Sequence, residues 1–242
     1  GKQIAYVRHS MDKMTDKDKG QVWLINIDNG MHLPLIDGGS SSHSPRWSPD
    51  GKSLLFVTAT EGKPELRLFY FQSDRSIGLA QFVSAPSRAV WSPDGKHIAL
   101  IRNQKGTPIL IIVAVDTMKA VNQISFANKD SVSSYSWANN ERLLVFLASK
   151  QRNEERKLSY GEIYSINIDE DKGRFIFGLR SLVRRGKIKK GTKDHDYEKH
   201  LAHPDIISML RNDPEHIIIS TSQYGNRGMW VYKVNIYLSL NK

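Results

Sequence analysis

The sequence contains no cysteine. That one absence removes disulfides, thiolate metal sites and cysteine nucleophiles together, and it suits the cytosol and the periplasm equally. Long apolar runs are also missing: nothing approaches the roughly 20 residues that cross a bilayer as a helix, and no signal-peptide pattern opens the chain. No Gly-x-Ser-x-Gly nucleophile elbow occurs. The nearest stretch, Gly38-Gly39-Ser40-Ser41-Ser42, lacks the closing glycine and lies in polar, turn-like surroundings.

Acidic residues are absent from one segment. Between Arg180 and Lys193 stand Arg180, Arg184, Arg185, Lys187, Lys189, Lys190 and Lys193 with no acid among them. Setting those seven aside leaves 28 Lys and Arg (35 less 7) against 25 Asp and Glu, so most of the net charge of +10 belongs to this run. A basic face spread over the whole fold, the footprint of a nucleic-acid binder, is therefore not what the charge describes.

What is present is a repeat. Trp47-Ser48-Pro49-Asp50-Gly51 recurs as Trp91-Ser92-Pro93-Asp94-Gly95, and a degenerate copy follows at Trp137-Ala138-Asn139-Asn140. The tryptophans are 44 and 46 residues apart, a period that accommodates four short strands and their turns. The motif suits a tight turn. Proline pre-sets φ, Asp accepts local backbone hydrogen bonds and Gly takes a positive φ at the exit. Asn139 and Asn140 tolerate the left-handed region well enough to serve similarly. A fourth turn is expected at Asn212-Asp213-Pro214-Glu215.

Short β-branched and aromatic runs surround these turns and read as strands. First strands are expected at Ile4–Val7, Ser53–Val57, His97–Ile101, Arg142–Phe146 and His216–Ser220. Second strands follow at Val22–Ile27, Leu66–Phe71, Ile109–Val115, Ile163–Ile168 and Trp230–Ile236. Third strands fit Leu33–Ile36, Leu79–Val83, Val121–Phe126 and Arg174–Leu179. Fourth strands lead into the turns at Arg46–Trp47, Ala89–Trp91, Ser134–Trp137 and Ile206–Leu210.

The fold expected is an all-β propeller of four-stranded blades, about four and a half of them, in a truncated or open ring. The blades are expected near residues 4–52, 53–96, 97–141 and 142–215, with a partial blade at 216–242 and a basic loop inserted near 180–203. A half blade leaves an open edge, and on that ground the natural protein is expected to continue past Lys242.

Trp-Ser-Pro-Asp-Gly at blade spacing resembles the propellers of TolB and of prolyl-oligopeptidase-type serine peptidases, the dipeptidyl and acylaminoacyl peptidases among them. The first two repeats fit either group. From about Ser92 onward the chain is more similar to bacterial peptidases of this type, through Tyr135-Ser136-Trp137-Ala138-Asn139-Asn140-Glu141-Arg142-Leu143, Tyr160-Gly161-Glu162-Ile163-Tyr164 and Met209-Leu210-Arg211-Asn212-Asp213-Pro214-Glu215-His216. The resemblance implies the non-catalytic propeller portion of a peptidase, gating substrate access and docking an α/β-hydrolase domain that this chain lacks. Its partners would be that hydrolase domain, or a partner protein, and the parent's peptide substrate. A TolB-like protein-binding scaffold is the alternative. No catalytic residue is carried over, and no cofactor is implied.

Other clusters have ordinary explanations. As an electrostatic contact, Arg184, Arg185, Lys187, Lys189 and Lys190 would suit nucleic acid, an acidic protein surface or lipid headgroups. The run holds no aromatic group for base stacking, Tyr197 being the nearest, so a solvated loop is the favoured reading and nucleic acid is not expected. His195, Asp196, Glu198, His200 and His203 are the most metal-like group, but His195 and His200 miss the i, i+4 spacing of a zinc helix. Asp16-Lys17-Asp18-Lys19-Gly20 and Asp169-Glu170-Asp171-Lys172-Gly173 lack the later ligands of a calcium loop and are expected in inter-strand turns. No metal is expected. Trp47, Trp91 and Trp137 are expected to pack between neighbouring blades.

Overall fold

The computed structural model describes residues 1–14, 16–36, 41–60, 62–127, 130–150, 157–184, 202–223 and 228–238. Among them are eighteen strands in five sheets and one short helix. The first sheet holds β1 (Gln3–Asp12), β2 (Lys17–Asn26) and β3 (His32–Pro34). The second holds β4 (Ser42–Trp47), β5 (Ser53–Thr60), β6 (Lys63–Tyr70) and β7 (Arg75–Gln81). The third holds β8 (Ser87–Trp91), β9 (His97–Gln104), β10 (Thr107–Ala114) and β11 (Ala120–Ile124). The fourth holds β12 (Asp130–Trp137), β13 (Arg142–Lys150), β14 (Lys157–Asn167) and β15 (Arg174–Phe177), followed by α1 (Leu179–Arg184). The fifth holds β16 (Ala202–Ser208), β17 (His216–Gln223) and β18 (Met229–Asn235). Within each sheet the strands neighbour one another in chain order, as in the blades of a propeller.

The hydrogen-bonded sheets and the sequence repeats are offset by one strand. Each Trp-containing strand pairs with the strand after its turn, as Trp47 with Leu54, Trp91 with Ile98 and Trp137 with Leu143. The motif therefore joins the first and second strands of one sheet. Arg174–Leu179 is also shorter than expected as a strand. Gly178 at φ 96° breaks the extended backbone after Phe177, and Leu179 begins the helix.

Two compact units make up the chain. One is Gly1–Asn103 with Val113–Lys119; the other is Gln104–Ile112 with Ala120–Lys242. The first has a core of Val22, Leu35, Leu54, Phe56 and Phe69, covered by Ala5, Val7, Leu24, Trp47 and Phe71. Strand alternation produces it: Val7 pairs with Val22 and Ala5 with Leu24, so one face of the first sheet is apolar. The second unit buries Leu144, Ile163, Ile176, Phe177, Ile217, Ile219, Val234 and Ile236. Each such side chain contributes about 1.5–3 kcal/mol by leaving water.

One irregularity recurs. The first strand of each of the second to fifth sheets slips register by a bulge, at His43–Arg46, Ser87–Val90, Val132–Ser134 and Ile206–Ser208. Ser44 and Arg88, inside two of these bulges, have φ of 57° and 52°. These strands are the edges of their sheets, and a bulge at an edge interrupts the ladder and re-aims side chains.

Candidate functional site

The repeat motif builds a closed clasp. Ser48 Oγ donates to Asp50 Oδ1 at 2.6 Å and accepts the Ser53 N–H at 2.9 Å, while Asp50 Oδ1 also accepts the Lys52 N–H at 3.0 Å. Gly51, at φ 70°, donates its N–H to the Ser48 carbonyl at 2.9 Å. The arrangement repeats at the second motif, with Ser92 Oγ to Asp94 Oδ1 at 2.6 Å, the His97 N–H to Ser92 Oγ at 2.9 Å, the Lys96 N–H to Asp94 Oδ1 at 3.1 Å and the Gly95 N–H to the Ser92 carbonyl at 2.9 Å. The Ser48 hydrogen bond and the Lys52 N–H hold the Asp50 carboxyl below its usual range. Burial pushes Asp94 upward, but the hydrogen bonds from Ser92 and the Lys96 N–H outweigh it and leave that carboxyl lowered too. Pro49 and Pro93 complete the two turns.

The tryptophans of these turns occupy different surroundings. Trp47 stacks on Phe71 with ring centroids 4.9 Å apart. Trp91 is buried, and its Nε1–H donates to the Arg46 carbonyl at 3.1 Å, which ties the third sheet's first strand to the second's. Trp137 is buried as well. Ser42, from the serine run that lacks the elbow glycine, is buried and accepts the Val22 N–H at 2.8 Å, so its hydroxyl holds sheet to sheet.

The degenerate third turn adds distant partners to its local ones. Asn139 Oδ1 accepts the N–H groups of Glu141 (3.0 Å) and Arg142 (2.9 Å), as an Asx turn does. Its amide donates to Tyr237 Oη at 2.8 Å and to the Pro214 carbonyl of the fourth turn at 3.3 Å. Arg142 is almost fully buried and fans out: Nη1 donates to Ser165 Oγ (3.1 Å) and the Ile236 carbonyl (3.3 Å), and Nη2 to both oxygens of Glu170 (3.2 and 3.3 Å). Its guanidinium lies 4.3 Å from the Tyr237 ring centroid. Glu170, considered from sequence as a calcium-loop residue, is thus an arginine clamp.

A second charged cluster gathers at the start of the insertion. Arg180 Nη1 donates to Asp130 Oδ2 at 2.6 Å, Arg180 Nε pairs with Glu162 Oε2, and the Arg180 N–H reaches Glu162 Oε1 at 3.1 Å. The guanidinium sits 4.5 Å from the Phe175 ring centroid, and Asp130 also takes a hydrogen bond from Ser149. Burial raises the Glu162 pKa; Arg180 opposes this and Asp130 reinforces it. Arg180 therefore leaves the acid-free run to which the sequence assigned it. Sequence reasoning missed Arg142, Glu162 and Arg180, because their partners lie 18 to 94 residues away.

Both ends of the insertion meet one dipeptide. Glu162 holds Arg180, while a side chain added at Gly161 (φ 71°) would fall 1.7 Å from the carbonyl oxygen of Ala202, where β16 begins. Arg184 closes α1, whereas Arg185, Lys187, Lys189 and Lys190 lie outside the described residues, as do His195, Asp196, Glu198 and His200. His203 stands in β16. Asp18 and Gly20, expected in a turn, are in β2, where Asp18 meets His9 at 2.8 Å. The alternation of Gln21-Val22-Trp23-Leu24 extends the strand back through them. In the fourth turn, hydrogen bonds from Lys233 and His216 lower the Asp213 pKa to about 2. Among the described residues no group of three or more His, Cys, Asp or Glu gathers as metal ligands, and no helix is long and apolar enough to cross a membrane.

Residues 1–172 match the TolB beta propeller domain. Among curated proteins, an uncharacterized peptidase, YuxL, of Bacillus subtilis is 34% identical over 62 residues, 26% of this chain and 9% of that protein. Dipeptidyl-peptidase 5 of Porphyromonas endodontalis is 35% identical over 66 residues, 27% of this chain and 10% of that protein. The matched stretches thus span about a tenth of those relatives. Among solved structures, the β-propeller domain of the trilobed protease from Pyrococcus furiosus aligns with a TM-score of 0.62 at 14% identity, over 97% of this chain and 67% of that one. An acylaminoacyl peptidase from Pyrococcus horikoshii gives 0.64 at 12% identity, over 97% and 38%. TolB from Acinetobacter baumannii gives 0.52 at 16% identity, over 97% and 50%. At these identities the structural likenesses establish the propeller fold.

Proposed function

Because the chain belongs to the TolB β-propeller domain family, with residues 1–172 matching it, we propose that it is the non-catalytic propeller portion of a prolyl-oligopeptidase-like serine peptidase. In this reading it gates substrate access and docks an α/β-hydrolase domain that supplies the nucleophile. The observation that carries the reading is sequence identity of 34% and 35% with two peptidases. The polar side chains of its motifs also favour a framework role, since they are spent on hydrogen bonds within the fold: Ser48 and Ser92 on their clasps, Ser42 on β2.

The test mixes the purified chain with a separately produced α/β-hydrolase domain of a prolyl-oligopeptidase-type peptidase. The expected result is a one-to-one complex that cleaves short chromogenic peptides and spares casein, with no turnover by the chain alone. Turnover by the repurified chain, or a hydrolase domain that neither binds it nor changes its size selectivity, would refute the proposal. The similarity to TolB supports a second reading, a scaffold that binds a partner protein. A defined stoichiometric partner recovered without any hydrolase domain would favour it.

A further inference from the structure

A polar cleft of about 310 Å³ opens in the second unit between the fourth and fifth sheets. Ser133, Ser134 and Ser136 reach it from β12, Ser159 from β14, and His203 and Asp205 from β16. Ser133 and Ser134 are consecutive, and consecutive residues of a regular strand point to opposite faces. They line one cleft because the β12 register slips between Val132 and Ser134. The bulge concentrates hydroxyls here, and the size lies at the low end of the roughly 300–1,000 Å³ of small-molecule sites.

The lining chemistry selects the ligand. Among the described residues that line the cleft there is no lysine or arginine, and the His203 imidazole is the one basic group, so an anion would meet the Asp205 carboxylate without a fixed cation to offset it. Among the described lining residues a cation would find one exposed carboxylate, a pairing that water largely screens, and Phe146 as the one aromatic neighbour, short of a cage. A peptide added as an extra strand needs a regular edge, yet β12 and β16 are both bulged beside the cleft. What remains well matched is a neutral ligand whose own hydroxyls both donate and accept. Four serine hydroxyls do likewise, Asp205 accepts, and Phe146, Pro204 and Ile206 provide an apolar ledge for C–H groups. We propose that this cleft binds a saccharide unit of one or two rings through the hydroxyls of Ser133, Ser134, Ser136 and Ser159 and the Asp205 carboxylate.

The chain would be titrated with glucose, galactose, maltose and cellobiose, with triglycine and choline as rival probes, and followed by amide and ligand-observed NMR. At least one saccharide should saturate near about 1 mM. Ser134→Ala and Asp205→Asn should each weaken it by about fivefold or more at an unchanged thermal midpoint. Ser159→Ala, which deletes one hydroxyl from a partly exposed position, gives the same readout should either of those variants unfold. No saturable saccharide binding up to about 50 mM would overturn the proposal. So would binding indifferent to all three substitutions, or binding of triglycine or choline in place of the saccharides.

Discussion

Arg142 offers the most direct test of how the second unit is held together. Truncation to Ala removes two hydrogen bonds to neutral acceptors, Ser165 Oγ and the Ile236 carbonyl, each worth about 1 kcal/mol. It removes a forked pair with Glu170, whose side chain is 33% exposed; hydration discounts that pair to about 1 kcal/mol. It also removes the contact with Tyr237 at 4.3 Å, worth about 0.5–1 kcal/mol. The loss expected for Arg142→Ala is therefore about 3–4 kcal/mol, within the range for breaking a buried ion pair. Arg142→Lys keeps the charge but cannot span Glu170 and the Ile236 carbonyl together, and should lose about half as much. Urea unfolding followed by tryptophan fluorescence and far-ultraviolet circular dichroism measures both, and a double-mutant cycle with Glu170→Gln isolates the ion pair. If Arg142→Ala costs less than about 1 kcal/mol, or the lysine variant matches the native chain, the fan of contacts does not stabilise the fold.

Three further outcomes are expected. Gly161→Ala, which combines a φ of 71° with a 1.7 Å approach to the Ala202 carbonyl, should cost at least twice as much as Gly51→Ala. Gly51 shares the positive φ but has open space around it, so its cost is about 1–2 kcal/mol; equal melting temperatures for the two variants would contradict this. Trp91→Phe deletes the bond to the Arg46 carbonyl and should cost about 1–2 kcal/mol, read by chemical denaturation. Asp213, with its pKa lowered to about 2, binds protons less readily folded than unfolded. Its contribution is full above the unfolded value and fades as pH falls through about 2. The stability gap between native chain and Asp213→Asn should be level near neutrality and shrink below about pH 4; a gap that grows on acidification would reverse the assignment.

Most of the strands were legible because local signals agree: alternation in Trp23-Leu24-Ile25, β-branched runs such as Ile109–Val113, and Pro-Asp-Gly at the turns. The phase of the sheets was not, since the motif marks a turn and does not say on which side of it a sheet begins. The bulges carry no common residue type: Ser44, Arg88, Ser133 and Ile207 stand at or beside them. The Asp130–Glu162–Arg180 cluster was hidden for a physical reason. Burial of a charge depends on partners that only the folded chain brings near, and Arg180 in sequence looks like the first member of a solvated basic run. Arg142 did leave a trace, a charge abutting Leu143-Leu144-Val145-Phe146 where the other repeats have Ser53 and His97.

The clasps at Ser48–Ser53 and Ser92–His97 close within six residues, whereas Asn139 reaches across 98 positions to Tyr237. Short closures cost little chain entropy, and long ones must wait for the intervening chain to be gathered. The first unit thus has turns closed wholly by local bonds, whereas the Asn139 turn adds to its local bonds with Glu141 and Arg142 a pair that forms only on assembly. Order of folding along this chain would then be written into the turns: nucleation at the two intact motifs, consolidation around Asn139 afterwards.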